Sequence, residues 1–286
     1  EPAPTLPMMS AVLVDDPPRL ALVGALLCAG NAALLPPIRL GFERLFPGRS
    51  AFFARWGFLD VARVVVAGMV VAWLLGLEAL GLRAALAGLP GPLGALVTTA
   101  LVLGAMAATA ITIARRTEPD AARSLGFTAA RVPSGLAAGV FLYAAFLPAL
   151  FGLLLLSPWL LQRLGAEFEF QDLVGELLAA RGLTAVAGWL LVVLLLPLLE
   201  ETLFRGFLQP LLVQNLREVL GIGTTSLLFA ALHGPSAFPS VFGLSCILGA
   251  VRLRTRGIWG PFLVHALHNG LVLGLHLAFP ELRETS

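Results

Sequence analysis

Apolar runs long enough to cross a bilayer recur along the whole chain, broken by short clusters of arginine, proline and glycine. A helix needs about 20 apolar residues to cross the hydrocarbon core. On that measure the pattern predicts spans at about 19–36, 64–82, 93–114, 134–158, 184–209, 222–234, 238–251 and 258–279. Pro36 and Pro37 close the first, and Gly88, Pro90, Gly91 and Pro92 make a turn before the third. The sixth and seventh spans are short, which predicts helices that are tilted, partly sunk or enclosed by protein. Residues 1–18 are Pro-rich and read as an arm, with no cleavable leader expected. Residues 160–183 differ again. Glu167, Glu169, Asp172 and Glu176 alternate with Phe168, Phe170, Leu173 and Leu177. That mixture predicts a loop and a short amphipathic helix at the interface, or equally a solvated connector.

Composition fixes the class. The chain is 58% hydrophobic and 13% charged, with a mean hydropathy of +0.90. Soluble domains carry about 25% charged residues. The reading is an all-α, polytopic integral membrane bundle of about eight transmembrane helices, each sized to the bilayer. It divides into an arm (1–18) and a single transmembrane bundle (19–286). The net charge of +2 gives no reason to expect nucleic acid. All 19 basic residues are Arg, and most fall in the loops after spans one, three, five and seven, among them Arg39, Arg44, Arg115, Arg116, Arg252 and Arg254. By the positive-inside rule both termini then lie outside the cytoplasm. Trp56, in the first basic loop, reads as an interface anchor. Cys28 and Cys246 lie in separate apolar segments and read as fillers, not a disulfide.

The chemistry concentrates in the fifth span. No charge occurs from Ala185 to Leu199; then come Glu200, Glu201 and, four residues on, Arg205. Each would cost about 2.5–3.5 kcal/mol at a bilayer centre on insertion scales, so an intramembrane cluster of this kind is a functional-site hypothesis. Glu201 and Arg205 share a helix face in the favoured order, with Glu on the N-terminal side. Glu200 lies about 100° round the helix. The pair is expected to neutralise itself while Glu200 faces a cavity. A charge-paired packing device with Glu200 protonated is the other reading.

Later spans add His233, four residues after Phe229, and His265 with Asn269 four residues beyond it. A lone His in an apolar span is often a hydrogen-bonded structural group; three polar motifs in one region are less easily explained that way. HExxH, paired intramembrane aspartates and Gly-x-Ser-Gly are all missing, which removes zinc, aspartyl and rhomboid-like serine proteases. A metal held by Glu200, His233, His265 or His268 is not demanded by any spacing. What remains is a carboxylate base, a helper His and a His/Asn pair able to donate to an oxyanion, a set suited to hydrolysis of a carbonyl bond.

Glu200-Glu201-x-x-x-Arg205, Phe229-x-x-x-His233 and His265-x-x-x-Asn269, in that order on late membrane spans, resemble the CAAX-protease and bacteriocin-processing (CPBP, or Abi) family of glutamate intramembrane proteases. The resemblance implies a catalytic core at about 184–279. It implies that Glu200 is the general base, assisted by His233, that His265 and Asn269 stabilise the oxyanion, and that Glu201 and Arg205 are structural partners. It implies no cofactor and no metal. The implied substrate is a membrane-anchored or lipid-modified peptide or protein, met in the lipid bilayer; the absence of Lys and the Ala, Gly, Leu and Val bias read as a high-GC bacterial genome, hence a bacterial inner membrane. A non-proteolytic scaffold or bacteriocin-immunity protein of the same fold is the alternative. A proton-coupled transporter is a further one, weakened by the lack of inverted repeats. His268 and His276 fall outside the motifs and are given no role.

Overall fold

Helices form wherever the apolar runs lie, because in lipid each backbone N–H and C=O must be satisfied within its own segment. The computed structural model describes residues 17–46, 54–77, 80–165 and 172–278. Residues 1–16 of the arm, and residues 166–171 with Glu167, Phe168, Glu169 and Phe170, lie outside the described residues.

The first element is bent. Helix α1 (Pro17–Ala33) and helix α2 (Leu35–Leu45) meet at 50° around Leu34. Pro36 and Pro37 sit in the first turn of α2, where a missing N–H costs nothing. They were expected to end a span; here they begin its second arm. Then come α3 (Phe58–Gly76), α4 (Leu82–Ala87), α5 (Leu93–Thr117), α6 (Ala121–Leu125), α7 (Val132–Arg163) and α8 (Asp172–Ala179). A continuous helical run follows over Gly182–Ala231. It is α9 (Gly182–Leu190), a π-helical segment (Leu191–Leu195), α10 (Leu196–Glu201), a second π-helical segment (Thr202–Leu208) and α11 (Gln209–Ala231). Helices α12 (Gly234–Thr255) and α13 (Trp259–Ala278) end the described chain.

Among the described residues, six helices are long and apolar enough to cross a membrane, or seven with the bent α1–α2 pair, against the eight expected. The difference lies in the run over 182–231. Arg217 there takes φ 67° and ψ 174°, outside the helical region. A Cβ on Gly221 would lie 2.6 Å from the backbone of Val213. Eight residues of straight helix would hold those positions about 12 Å apart. The chain therefore reverses at Arg217, and the arm after it is too short to count by length alone.

Packing follows the rule for membrane bundles, small residues where backbones cross. Gly24 of α1 meets Gly152 of α7 so closely that a Cβ on Gly24 would sit 2.6 Å from Gly152 O. Gly260 of α13 meets Gly135 of α7 in the same way, at 2.4 Å. Outward faces carry Leu22, Leu26, Met69, Trp73 and Phe151, the side expected to meet lipid. Two apolar clusters fill the interior. One joins α2, α7, α12 and α13 through Phe42, Leu142, Leu150, Leu248 and Val264. The other joins α3, α5, α6 and the second π-helical segment through Val64, Ala110, Leu125, Leu203 and Phe207. The helix bearing the acidic motif runs between them. The short helix expected in 160–183 is α8, whose Leu177 and Leu178 are buried with Leu273 of α13.

One expectation fails. Trp56 is not an interface anchor; it is 2% exposed and stacks on Phe207 at 4.9 Å. Residues 54–57 are non-helical, so their donors need partners from elsewhere. Ala54 N–H donates to Gln214 Oε1, Arg55 N–H to Glu118 Oε1, and the Trp56 indole N–H to Phe207 O at 2.9 Å. Trp56→Phe should cost about 1 kcal/mol, one hydrogen bond. Trp56→Ala should cost about 3–5 kcal/mol. Thermal unfolding in detergent would resolve the two; equal losses would show that the indole N–H contributes nothing.

Candidate active site

The acidic motif sits between two irregular turns, and both irregularities trace to proline. In the first π-helical segment Leu196 N–H reaches back five residues to Leu191 O. In that register Val192 O should be served by residue 197, which is a proline and has no N–H. The orphaned carbonyl accepts instead from Asn269 Nδ2–H of α13, at 3.0 Å. The second segment repeats the device. Gln209 N–H reaches back to Phe204 O, and Arg205 O should be served by residue 210, again a proline. That carbonyl accepts from Arg252 Nε–H of α12, at 2.9 Å. π-helical turns are rare and concentrate at functional sites.

The two glutamates separate as their helix positions require. Glu201 points inward and is 0% exposed, as is Arg205. Arg205 Nη1 lies 3.2 Å from Glu201 Oε1, and Nη2–H donates to Ser245 Oγ at 2.7 Å. The guanidinium also lies over the ring of Phe229, 4.5 Å from its centroid, a cation–π contact. Glu200 keeps 18% of its side chain exposed, so of the two carboxylates it is the one with exposed surface.

His265 of α13 joins both. Its Nδ1–H donates to Glu201 Oε1 at 3.0 Å, and Nε2 lies 3.7 Å from Glu200 Oε2. The second distance is beyond a direct hydrogen bond. A carboxylate behind one ring nitrogen fixes which nitrogen faces the chemistry. His233 is set by the end of its own helix. There Leu232 and His233 N–H turn back three residues, to Phe229 O and Ala230 O. The His233 ring donates Nδ1–H to Phe229 O at 2.8 Å, which makes Nε2 the accepting nitrogen of the neutral ring. Glu200 interacts electrostatically with His265, His233, Glu201 and Arg205. Phe229 is the hub: its ring contacts Phe204, His233 and His265 as well as Arg205. The structure thus brings Glu200, Glu201, Arg205, His233 and His265 together. Asn269 stands a turn below, holding the π-helical segment before Glu200.

Residues 182–271 match the family model of the type II CAAX prenyl endopeptidases, Rce1-like. The matched stretch starts at α9 and contains all three motifs; it covers part of the chain. No curated protein and no solved structure matches the chain. Similarity to this hydrolase family is therefore carried by the Rce1-like stretch.

Several partners in the Rce1-like stretch carry no motif signal. Ser245 is a buried partner of Arg205. Gln209, fully buried, donates Nε2–H to Gly249 O at 2.9 Å and ties α11 to α12. Arg252 was read only as a topology arginine. His268 pairs with the hydroxyl of Tyr143 at 3.0 Å, and His276 donates Nδ1–H to Val272 O within its own helix. Among the described residues no three His, Cys, Asp or Glu side chains are grouped as metal ligands. Cavities of about 400 Å³, beside Arg83 and Gly94, and about 230 Å³, beside Arg115 and Phe127, lie away from the acid pair.

Proposed function

We propose that the stretch from α9 to α13 is the hydrolytic centre of an intramembrane endopeptidase, acting on a membrane-anchored or lipid-modified protein or peptide. The observation that carries this reading is the meeting of motifs from different helices on one buried imidazole. His265 holds Glu201 at 3.0 Å and faces Glu200 at 3.7 Å, inside the Rce1-like stretch.

Glu200, the carboxylate with exposed surface, takes a proton from water as general base. The hydroxide adds to the scissile carbonyl, and Glu200 returns the proton to the departing amine. His233 helps to hold the water through Nε2. Glu201 orients His265, as a buried carboxylate behind an imidazole does. His265, oriented by Glu201, and the second amide hydrogen of Asn269 are the groups offered to the carbonyl oxygen as negative charge develops on it. The scheme uses no cofactor. Cleavage should survive dialysis against EDTA and 1,10-phenanthroline; stoichiometric zinc lost together with activity would replace this scheme with a metal one.

Counting the bent α1–α2 pair once and both arms of the hairpin at Arg217, the bundle makes eight crossings in a bacterial inner membrane. Glu200 then lies roughly 15 Å of helix from the cytoplasmic end of its span. Cleavage is expected near the cytoplasmic end of the substrate's anchor. The test is purified protein in liposomes, given a library of internally quenched peptides bearing a prenyl group, a single apolar anchor or no anchor. Anchored members should be cut, each product pair gaining one water. A library left wholly uncut would overturn the reading and favour a scaffold or immunity role.

A further inference from the structure

The carbonyl that Pro210 orphans is held by a residue outside the three motifs. Arg252 is 1% exposed, near the end of α12. Its Nε–H donates to Arg205 O at 2.9 Å and its Nη2–H to Ser124 O of α6 at 3.1 Å. Gly126, just after α6, takes φ +93°, and a Cβ there would lie 2.9 Å from Arg252 Cζ and Nη1. Any larger residue at 126 would push the guanidinium off its carbonyls. Gly126 O accepts from Ile258 N–H at 3.1 Å, at the entry to α13. One guanidinium therefore joins the π-helical segment after the acid pair, the short helix α6 and, through Gly126, the helix that carries His265.

We propose that Arg252 is a positioning residue for the acid pair, fixing the second π-helical segment, and with it the facing of Glu200 to His265, by supplying the donor that Pro210 cannot. The proposal rests on the reading of Glu200 as the base. A guanidinium presents a planar fork of donors, so it serves two carbonyls on different elements at once; a lysine ammonium lacks that preset geometry. Positioning of this kind acts on rate, because small displacements of reacting groups are costly in a preorganised site.

The register supplies its own test. Pro210→Ala gives residue 210 an N–H in line with Arg205 O. Arg252→Met, Arg252→Lys, Pro210→Ala and the Arg252→Met/Pro210→Ala pair are made in the full chain. Each is assayed in detergent for thermal midpoint, and in liposomes for kcat and KM on an anchored quenched peptide. Arg252→Met should lower kcat about tenfold or more, with KM changed less than about twofold. In the Pro210→Ala background the same substitution should cost at least about threefold less in kcat and a smaller drop in midpoint, since coupled sites are not additive. Asn269→Ala should show no such relief from Pro210→Ala, because Val192 O depends on Pro197. Equal losses in both backgrounds would overturn the proposal, as would wild-type kcat in Arg252→Lys, which also serves if the Met variant does not fold. Thermal coupling without any cleavage by the parent protein would mean that the brace exists but the base reading, and positioning with it, is wrong. Cleavage without coupling would mean that the brace alone is wrong.

Discussion

Glu200→Gln should reduce cleavage of an anchored peptide by about 10²–10⁴-fold, the range lost with a general base, while the protein stays folded. The substitution keeps the shape of the side chain and removes its ability to accept a proton. Glu200 is the acid-pair member with exposed surface, and His265 Nε2 is 3.7 Å from its carboxylate. That contact is too long for a direct hydrogen bond, so none is broken there when the charge goes. The thermal midpoint in detergent should therefore stay within a few degrees of the parent, as for surface substitutions away from special features. Single-turnover cleavage alongside thermal unfolding makes the measurement. Parental cleavage by Glu200→Gln would sink the hydrolytic reading outright, and retained biological function in that variant would support a scaffold.

Part of this site was legible in the chain. The four-residue spacing of Glu201 and Arg205 placed both on one face, and they meet at 3.2 Å. Glu200, about 100° away, is the one that keeps exposed surface. The spacing of Phe229 and His233 was noted without a contact assigned to it; the ring folds back on its own turn and finds Phe229 O. The meeting of His265 with both glutamates was not legible from spacing, because it depends on how α13 packs against α10. Resemblance implied a role for His265 without implying Glu201 as its partner.

The prolines held a signal that went unread. Pro197 and Pro210 each stand five residues after a carbonyl that a side chain from a distant helix captures. Five is the hydrogen-bond interval of a π-helix, and an α-helical reading looks four residues back. An α-helical interval from Pro210 leads to Gly206 O, not to the Arg205 O that Arg252 holds. Hydropathy gave the all-α membrane bundle, but not its count: six or seven long apolar helices among the described residues against eight expected. The reversal at Arg217 was expected as a loop; its tightness was not, since a positive φ at arginine has no sequence cue. Trp56 failed for a related reason. A tryptophan beside arginines at a span boundary matches the interfacial pattern, and its stacking on Phe207, far along the chain, leaves no local trace.

Glu201→Gln should show the opposite signature to its neighbour, a loss of stability that comes before any question of rate. Both members of the Glu201–Arg205 pair are sealed from solvent, and among the described residues Glu201 Oε2 and Arg205 Nε make no hydrogen bond. The pair therefore relies on proximity of charge, on Ser245, on His265 Nδ1–H and on the Phe229 ring. Removing one charge leaves the guanidinium uncompensated in a low-dielectric interior, a change that costs about 3–5 kcal/mol when a buried pair is broken. Arg205→Met strands the carboxylate in the same way. The double variant Glu201→Gln/Arg205→Met strands neither. It should be more stable than the sum of the single losses predicts, by about 1–3 kcal/mol of coupling. Equilibrium unfolding in mixed micelles of the parent, the two single variants and the double closes the cycle. The double should still cleave poorly, because the amide that replaces the Glu201 carboxylate gives His265 Nδ1 no negative charge behind it. Additive losses would mean that the two side chains do not act as a pair. A Glu201→Gln protein as stable as the parent would place the uncompensated charge in contact with water, and the site could not be sealed as described.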